Sequence, residues 1–161
     1  CRSMEYGSVI IIIIVSLVIL TPVLKRLFKN IRLDGNNENI HIACLYGDLK
    51  KVKALLKSGI NINSKDFSNK TPLMYAAEDG AIETVNFLIN NGANLDDVDV
   101  RNESALIIAL KNYNIYVAKI LIENGANLLI KNEENKDALQ LANEIDSKEI
   151  IELIQNKLNN N

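Results

Sequence analysis

Two side chains have the types and spacing for covalent or metal chemistry. His41 and Cys44 stand three positions apart, as on one face of a helix. An imidazole beside a thiol can take its proton and create a nucleophile, and the same two groups can ligate zinc. His41 is the sole histidine of the chain, so no second imidazole is available as a base or as a further ligand. The other cysteine, Cys1, lies far off, and two thiols without a spacing pattern suggest neither a disulfide framework nor a zinc site. Asp96, Asp97 and Asp99 cluster without the pattern of a calcium loop, and no glycine-rich phosphate loop occurs. No catalytic constellation emerges, and neither a cofactor, a metal nor a small-molecule substrate is expected.

The elements that hold these residues come from self-comparison, which finds a period of 33: Gly59, Gly92 and Gly125 form one series, and Ala43, Ala76, Ala109 and Ala142 another. Ile40, Leu73, Leu106 and Leu139 form a third. Apolar pairs precede the glycines at Leu55-Leu56, Leu88-Ile89 and Leu121-Ile122, continued as Leu153-Ile154. Four copies begin near residues 33, 66, 99 and 132. Thr71 can cap a helix that Pro72 starts with its φ already set, and Gly80 and Gly92 can take positive φ where helices end. Each copy reads helix, turn, helix, loop. Small alanines let neighbouring copies approach, and the Leu/Ile pairs fill the space between.

The stretch Asp66-Phe67-Ser68-Asn69-Lys70-Thr71-Pro72-Leu73-Met74-Tyr75-Ala76-Ala77-Glu78-Asp79-Gly80 closely resembles the ankyrin consensus, and the resemblance covers about 125 of the 161 residues. It implies an all-α ankyrin-repeat solenoid, in residues 33–161, that binds a protein and has no catalytic activity. His41 occupies the family's histidine position, so the resemblance implies a hydrogen bond to a neighbouring loop, with Cys44 replacing a packed alanine. Asn69-Lys70-Thr71 and Asn102-Glu103-Ser104 match the glycosylation sequon, but both sit where the family prefers glycine, and asparagine suits the left-handed backbone of that turn. Copies one and four depart from the pattern and read as caps. At the inter-helix turn, Gly47 and Gly80 give way to Tyr113 and Asp146. A Tyr at positive φ costs roughly 1–2 kcal/mol, so Asn112 or Asn114 is expected to take the left-handed position, or the turn to differ.

In this family partners are held by loop tips and the inner face of the first helices. Matching register carries this to Leu45 and Tyr46 in copy one. In copy two it reaches Phe67, Ser68, Lys70, Glu78 and Asp79, and in copy three Val100, Arg101, Glu103, Lys111 and Asn112. Phe67 beside Leu45 and Tyr46 would form an aromatic anchor for the partner, a protein whose identity the sequence does not give.

Ahead of the repeats lie nineteen uncharged residues, 6–24, which as a helix at ~1.5 Å per residue reach about 28 Å and span a bilayer core. Thirteen of the residues from Val9 to Leu24 are Ile, Val or Leu. A single transmembrane helix is expected there, followed by a basic linker over 25–32. A signal peptide would need a basic region before the stretch and a small-residue cleavage site after it; instead Lys25, Arg26, Lys29 and Arg32 all follow. That asymmetry predicts a single-pass protein with its N-terminus outside and its repeats in the cytosol, acting as a scaffold or local inhibitor. The alternative is an exported, membrane-anchored module facing the periplasm or cell exterior. Residues 1–33 carry a charge of +4 and residues 34–161 a charge of −6. An acidic body without a Lys/Arg cluster argues against nucleic acid.

Overall fold

The computed structural model describes residues 39–160. The apolar stretch 6–24, the linker 25–32 and the start of copy one lie outside the described residues. Among those described there are eight helices and no strand: α1 (Ile40–Leu45), α2 (Leu49–Lys57), α3 (Pro72–Asp79), α4 (Ile82–Asn90), α5 (Ala105–Lys111), α6 (Ile115–Glu123), α7 (Ala138–Glu144) and α8 (Lys148–Asn159). None of these is long and apolar enough to cross a membrane.

The first helix of each copy starts at a side-chain cap. Thr71 Oγ1 accepts the Met74 N–H at 3.4 Å with Pro72 at the first helical position, and Ser104 Oγ accepts that of Ile107 at 3.4 Å. Asp137 and Gln140 cap one another's backbone N–H groups at 3.0 and 2.9 Å. In copy one the cap is Asn39, whose Oδ1 accepts the His41 N–H at 2.9 Å.

Each first helix is closed by a bond to the carbonyl of its register alanine. The carbonyls of Ala43, Ala76, Ala109 and Ala142 accept the N–H groups of Asp48, Ala81, Asn114 and Ser147 at 2.9–3.1 Å, which closes the helix and reverses the chain. That bond needs a left-handed residue just before the donor, and Gly47, Gly80, Tyr113 and Asp146 supply it at φ 61°, 76°, 59° and 52°. The expected escape through Asn112 or Asn114 is therefore wrong: Tyr113 takes the strained conformation, and Asn112 stays at φ −95°. The reason lies in the neighbouring copy. The Asn114 side chain donates to the carbonyls of Ala77 and Glu78 at 2.8 and 3.0 Å, tying the turn of copy three to the end of α3. Moving the left-handed residue would break both the closing bond and this tie. Gly80 makes room for it, since a Cβ there would lie 2.7 Å from Asn114 Oδ1.

The hairpins α1–α2, α3–α4, α5–α6 and α7–α8 stack side by side, first helices against first and second against second. The four register alanines are buried in this stack, as are Leu55, Leu88, Leu121 and Ile154 one layer out. They belong to one continuous core running through all four copies. The outer residues of α8 are exposed and, apart from Leu158, polar, as a terminal copy requires, whereas copy one leaves Ile42 and Tyr46 exposed.

Tyr113 is 71% exposed, so replacing it removes strain and little packing. Tyr113→Gly is expected to raise unfolding free energy by about 1 kcal/mol in urea titrations. Gly80→Ala is expected to lower it by about 2 kcal/mol or more, because it combines positive φ with the clash against Asn114. A destabilising Tyr113→Gly would contradict this account of the turn.

Candidate functional site

Between the helix pairs the chain forms hairpin loops whose shape is set by one side chain per copy. Asp66 Oδ1 accepts the N–H groups of Ser68 and Lys70 at 2.8 and 2.9 Å. Asp99 does the same for Arg101 and Glu103, and Asn132 for Glu134 and Lys136, at 2.8–3.0 Å. Opposite them Asn69, Asn102 and Asn135 sit at φ 59°, 58° and 60°, so the turn accounts for asparagine at both sequon positions, as expected. The loops are also joined to one another. Val100 N–H donates to the Ser68 carbonyl and Glu133 N–H to the Arg101 carbonyl, each at 3.0 Å, and the Asn102 amide donates to the Lys131 carbonyl.

This scaffold presents Phe67, fully exposed, and Val100, 64% exposed, on adjacent tips. Ser68 and Arg101 beside them are exposed as well. The structure thus brings four of the sequence-predicted contact residues together on one surface.

The inner-face positions are different, and here the sequence reading needs correction. Lys70 pairs with Glu78 at 2.8 Å. Glu103 is only 1% exposed, and its carboxylate takes Arg101 at 2.8 Å on one oxygen and Lys111 on the other. Glu103 is therefore a buried organiser of its loop and presents no surface to a partner. Lys70, Glu78 and Lys111 are engaged in ion pairs within the solenoid, although their side chains stay partly accessible. The pattern recurs in copy four, where Lys136 pairs with Glu144 and Glu134 at 2.8 and 2.9 Å.

The anchor proposed around Phe67 is corrected too. Gly47, at the end of α1, lies against Ala81 and Asp79 at the end of α3, so the two helices run in parallel. Phe67 precedes α3, whereas Leu45 and Tyr46 end α1; they lie at opposite ends of the two parallel helices. Leu45 is half-buried, Tyr46 and Asp79 are exposed, and the exposed Asn112 turns its amide back to the Ile108 carbonyl at 2.8 Å. Sequence reasoning missed two exposed aromatics, Tyr113 and Tyr116, although a tyrosine in a glycine position was a visible signal.

His41 and Cys44 do not form a pair for chemistry. One ring nitrogen of His41 lies 2.7 Å from Asn39 Oδ1 and the other 2.9 Å from the Ser64 carbonyl, the loop contact that the resemblance implied. Cys44 is fully buried, and burial pushes its thiol up to about 12, which keeps it protonated and unreactive. The His41 ring packs edge-on against Tyr75, whose hydroxyl donates to Asp66 Oδ2 at 2.7 Å. Burial pushes the Asp66 carboxyl up, but the bonds from Tyr75, Lys70 and Ser68, together with His41, outweigh it and hold the carboxyl below its usual value. Burial, then the bond to Asp66, push Tyr75 up to about 12. Among the described residues no three His, Cys, Asp or Glu side chains converge as a metal site.

Among known families, the model described as Ankyrin repeats (3 copies) matches residues 19–99 and 73–161. No curated protein shows a match to the chain.

The buried carboxylate and the exposed tip should differ in how much stability they lose on mutation. Glu103→Gln, which leaves two cations without their anion, is expected to cost about 1–3 kcal/mol of stability in urea, and Phe67→Ala less than about 0.5 kcal/mol. The Asp66–Tyr75 bond should appear in the pH profile. Asp66 binds its proton less tightly folded than unfolded, so its contribution is present above the carboxylate range and lost as pH falls through its folded value. Tyr75 binds its proton more tightly folded, so its contribution is lost as pH rises from about 10 to about 12. Tyr75→Phe is therefore expected to flatten both limbs of stability against pH relative to the parent. Limbs of unchanged slope would rule out this linkage.

Proposed function

Because the chain belongs to the family of ankyrin repeats, we propose that it is a non-catalytic protein-binding module and that residues 6–24 tether it to a membrane. The observation that carries the binding reading is the hairpin surface: Phe67 and Val100 project fully and 64% exposed from loops that are bonded to one another. An apolar side chain held out on a pre-ordered loop loses little backbone freedom on binding and can fill a partner's pocket, which is what a binding anchor requires. Ser68 and Arg101 add polar contacts at its margin.

The tether rests on the sequence. Nineteen uncharged residues are followed by Lys25, Arg26, Lys29 and Arg32, an arrangement that supports a spanning helix with the repeats on the cytosolic side. The family match begins at residue 19, so it takes in the end of that stretch and the basic linker. Holding the module at a surface raises its effective concentration for partners there, the physical basis of a scaffold or local inhibitor.

The test is crosslinking in intact cells followed by affinity purification of three forms: the full chain, a form lacking residues 6–24, and Phe67→Ala with Val100→Ala. The double substitution is expected to reduce recovery of the crosslinked partner about tenfold or more while the fold persists. Equal recovery would remove the tips from the reading. Loss of the partner from the form lacking 6–24 is expected if the tether takes part in function; undiminished recovery would make the stretch an address alone.

A further inference from the structure

The inter-helix turns form an edge of the solenoid remote from the hairpin tips. Its residues follow the repeat: Gly47, Gly80, Tyr113 and Asp146 at the left-handed position, and Lys50, Glu83, Tyr116 and Glu149 three residues on. Copy three alone places two tyrosines there, 71% and 73% exposed. Between them and copy two runs a groove of about 200 Å³ lined by Gly80, Ile82 and Asn114 as well as by the two rings. Glycine at 80 leaves room for the Asn114 side chain in the groove's wall, and Ile82, 37% exposed, adds an apolar side chain to the lining.

The repeat register places carboxylates along the same edge. Glu83 adjoins Ile82 in sequence, Asp146 takes the place of Tyr113 one copy on, and Glu149 that of Tyr116. Glu149 is paired with Lys119 at 2.7 Å, whereas Glu83 and Asp146 are both exposed carboxylates. The surrounding body, residues 34–161, has a charge of −6. Tyr113 is retained at φ 59°, a conformational cost that Gly47 and Gly80 avoid.

We propose that this edge binds a basic segment of a partner protein, with an arginine side chain lying across Tyr113 and Tyr116 and its charge met by Glu83 and Asp146. Aromatic faces attract cations, and the planar, weakly hydrated guanidinium stacks on them better than an ammonium. The acidic body steers such a segment toward the protein. The proposal rests on the binding-module reading but uses a different surface from the tips, so the two can fail separately.

The experiment is calorimetric titration of the full chain, in uncharged detergent micelles, with a deca-arginine peptide and with deca-lysine for comparison. Deca-arginine is expected to bind more tightly than deca-lysine. Tyr113→Gly with Tyr116→Ala is expected to weaken deca-arginine binding about fivefold or more. Tyr113→Gly relieves strain, so lost binding in a variant with an undiminished unfolding transition cannot be ascribed to a damaged fold. Glu83→Gln with Asp146→Asn should also weaken it, while Phe67→Ala with Val100→Ala should leave it unchanged. No binding by the parent, equal affinity in the tyrosine variant, or loss confined to the tip variant would each overturn the proposal; the tip reading stands or falls on partner recovery in cells.

Discussion

The bond from the residue after each turn back to the alanine carbonyl is the constraint on which the described solenoid depends. It closes the first helix, points the second back along it, and does so identically at Ala43, Ala76, Ala109 and Ala142. Identical closure gives each copy the same shape, and copies of the same shape can stack by a simple repeat. Because the accepting residue is alanine, the backbones of successive first helices can come close, and the larger Leu and Ile side chains fill the wider layer behind them. No helix pair buries its own face alone, so the closing geometry of one copy is also a condition for the stability of the next.

Stacking at a fixed repeat then lets polar groups be satisfied by the equivalent groups of a neighbour. Asn63 Oδ1 accepts the Asn94 N–H, and Asp96 Oδ1 accepts that of Asn127, both at 2.8 Å. The inner face uses the repeat in another way. Lys70 with Glu78, Glu103 with Lys111, and Lys136 with Glu144 occupy one geometry, and the sign of the charge reverses from copy to copy. Like positions in adjacent copies therefore carry opposite charge, which favours the observed stacking over one that brings like charges together. A ligand reaching for these groups must first separate ions that are already paired, whereas contact at Phe67 or Val100 breaks nothing.

The repeat, the helix order and the core were legible in the sequence because period, alanine and glycine each report a local requirement that the fold leaves intact. The role of His41 followed from its register. What failed were inferences in which a local preference was set against a tertiary bond. A tyrosine resists the left-handed region, and taken alone Asn112 or Asn114 was the better candidate; the amide of Asn114, engaged two ways with copy two, decides otherwise. The pairing of the charged positions went unread for a different reason. They were assigned to a partner by resemblance, although the spacing of eight residues and the alternation of sign at 70/78, 103/111 and 136/144 were present in the sequence as evidence of internal pairing.

Loop rigidity joins the fold to the binding reading. Flexible loops must be ordered when they bind, and each immobilised side chain subtracts from affinity. Here the ordering is built into the fold: an Asp or Asn holds each tip, an Asn in the left-handed region turns it, and backbone bonds join Ser68 to Val100 and Arg101 to Glu133. Phe67 and Val100 thus project from a surface whose backbone cost is already met by folding. The same bonds make the tips interdependent, because shifting one loop strains the bond to the next. A partner that meets these tips therefore meets one preformed surface, and its specificity must come from the side chains carried there.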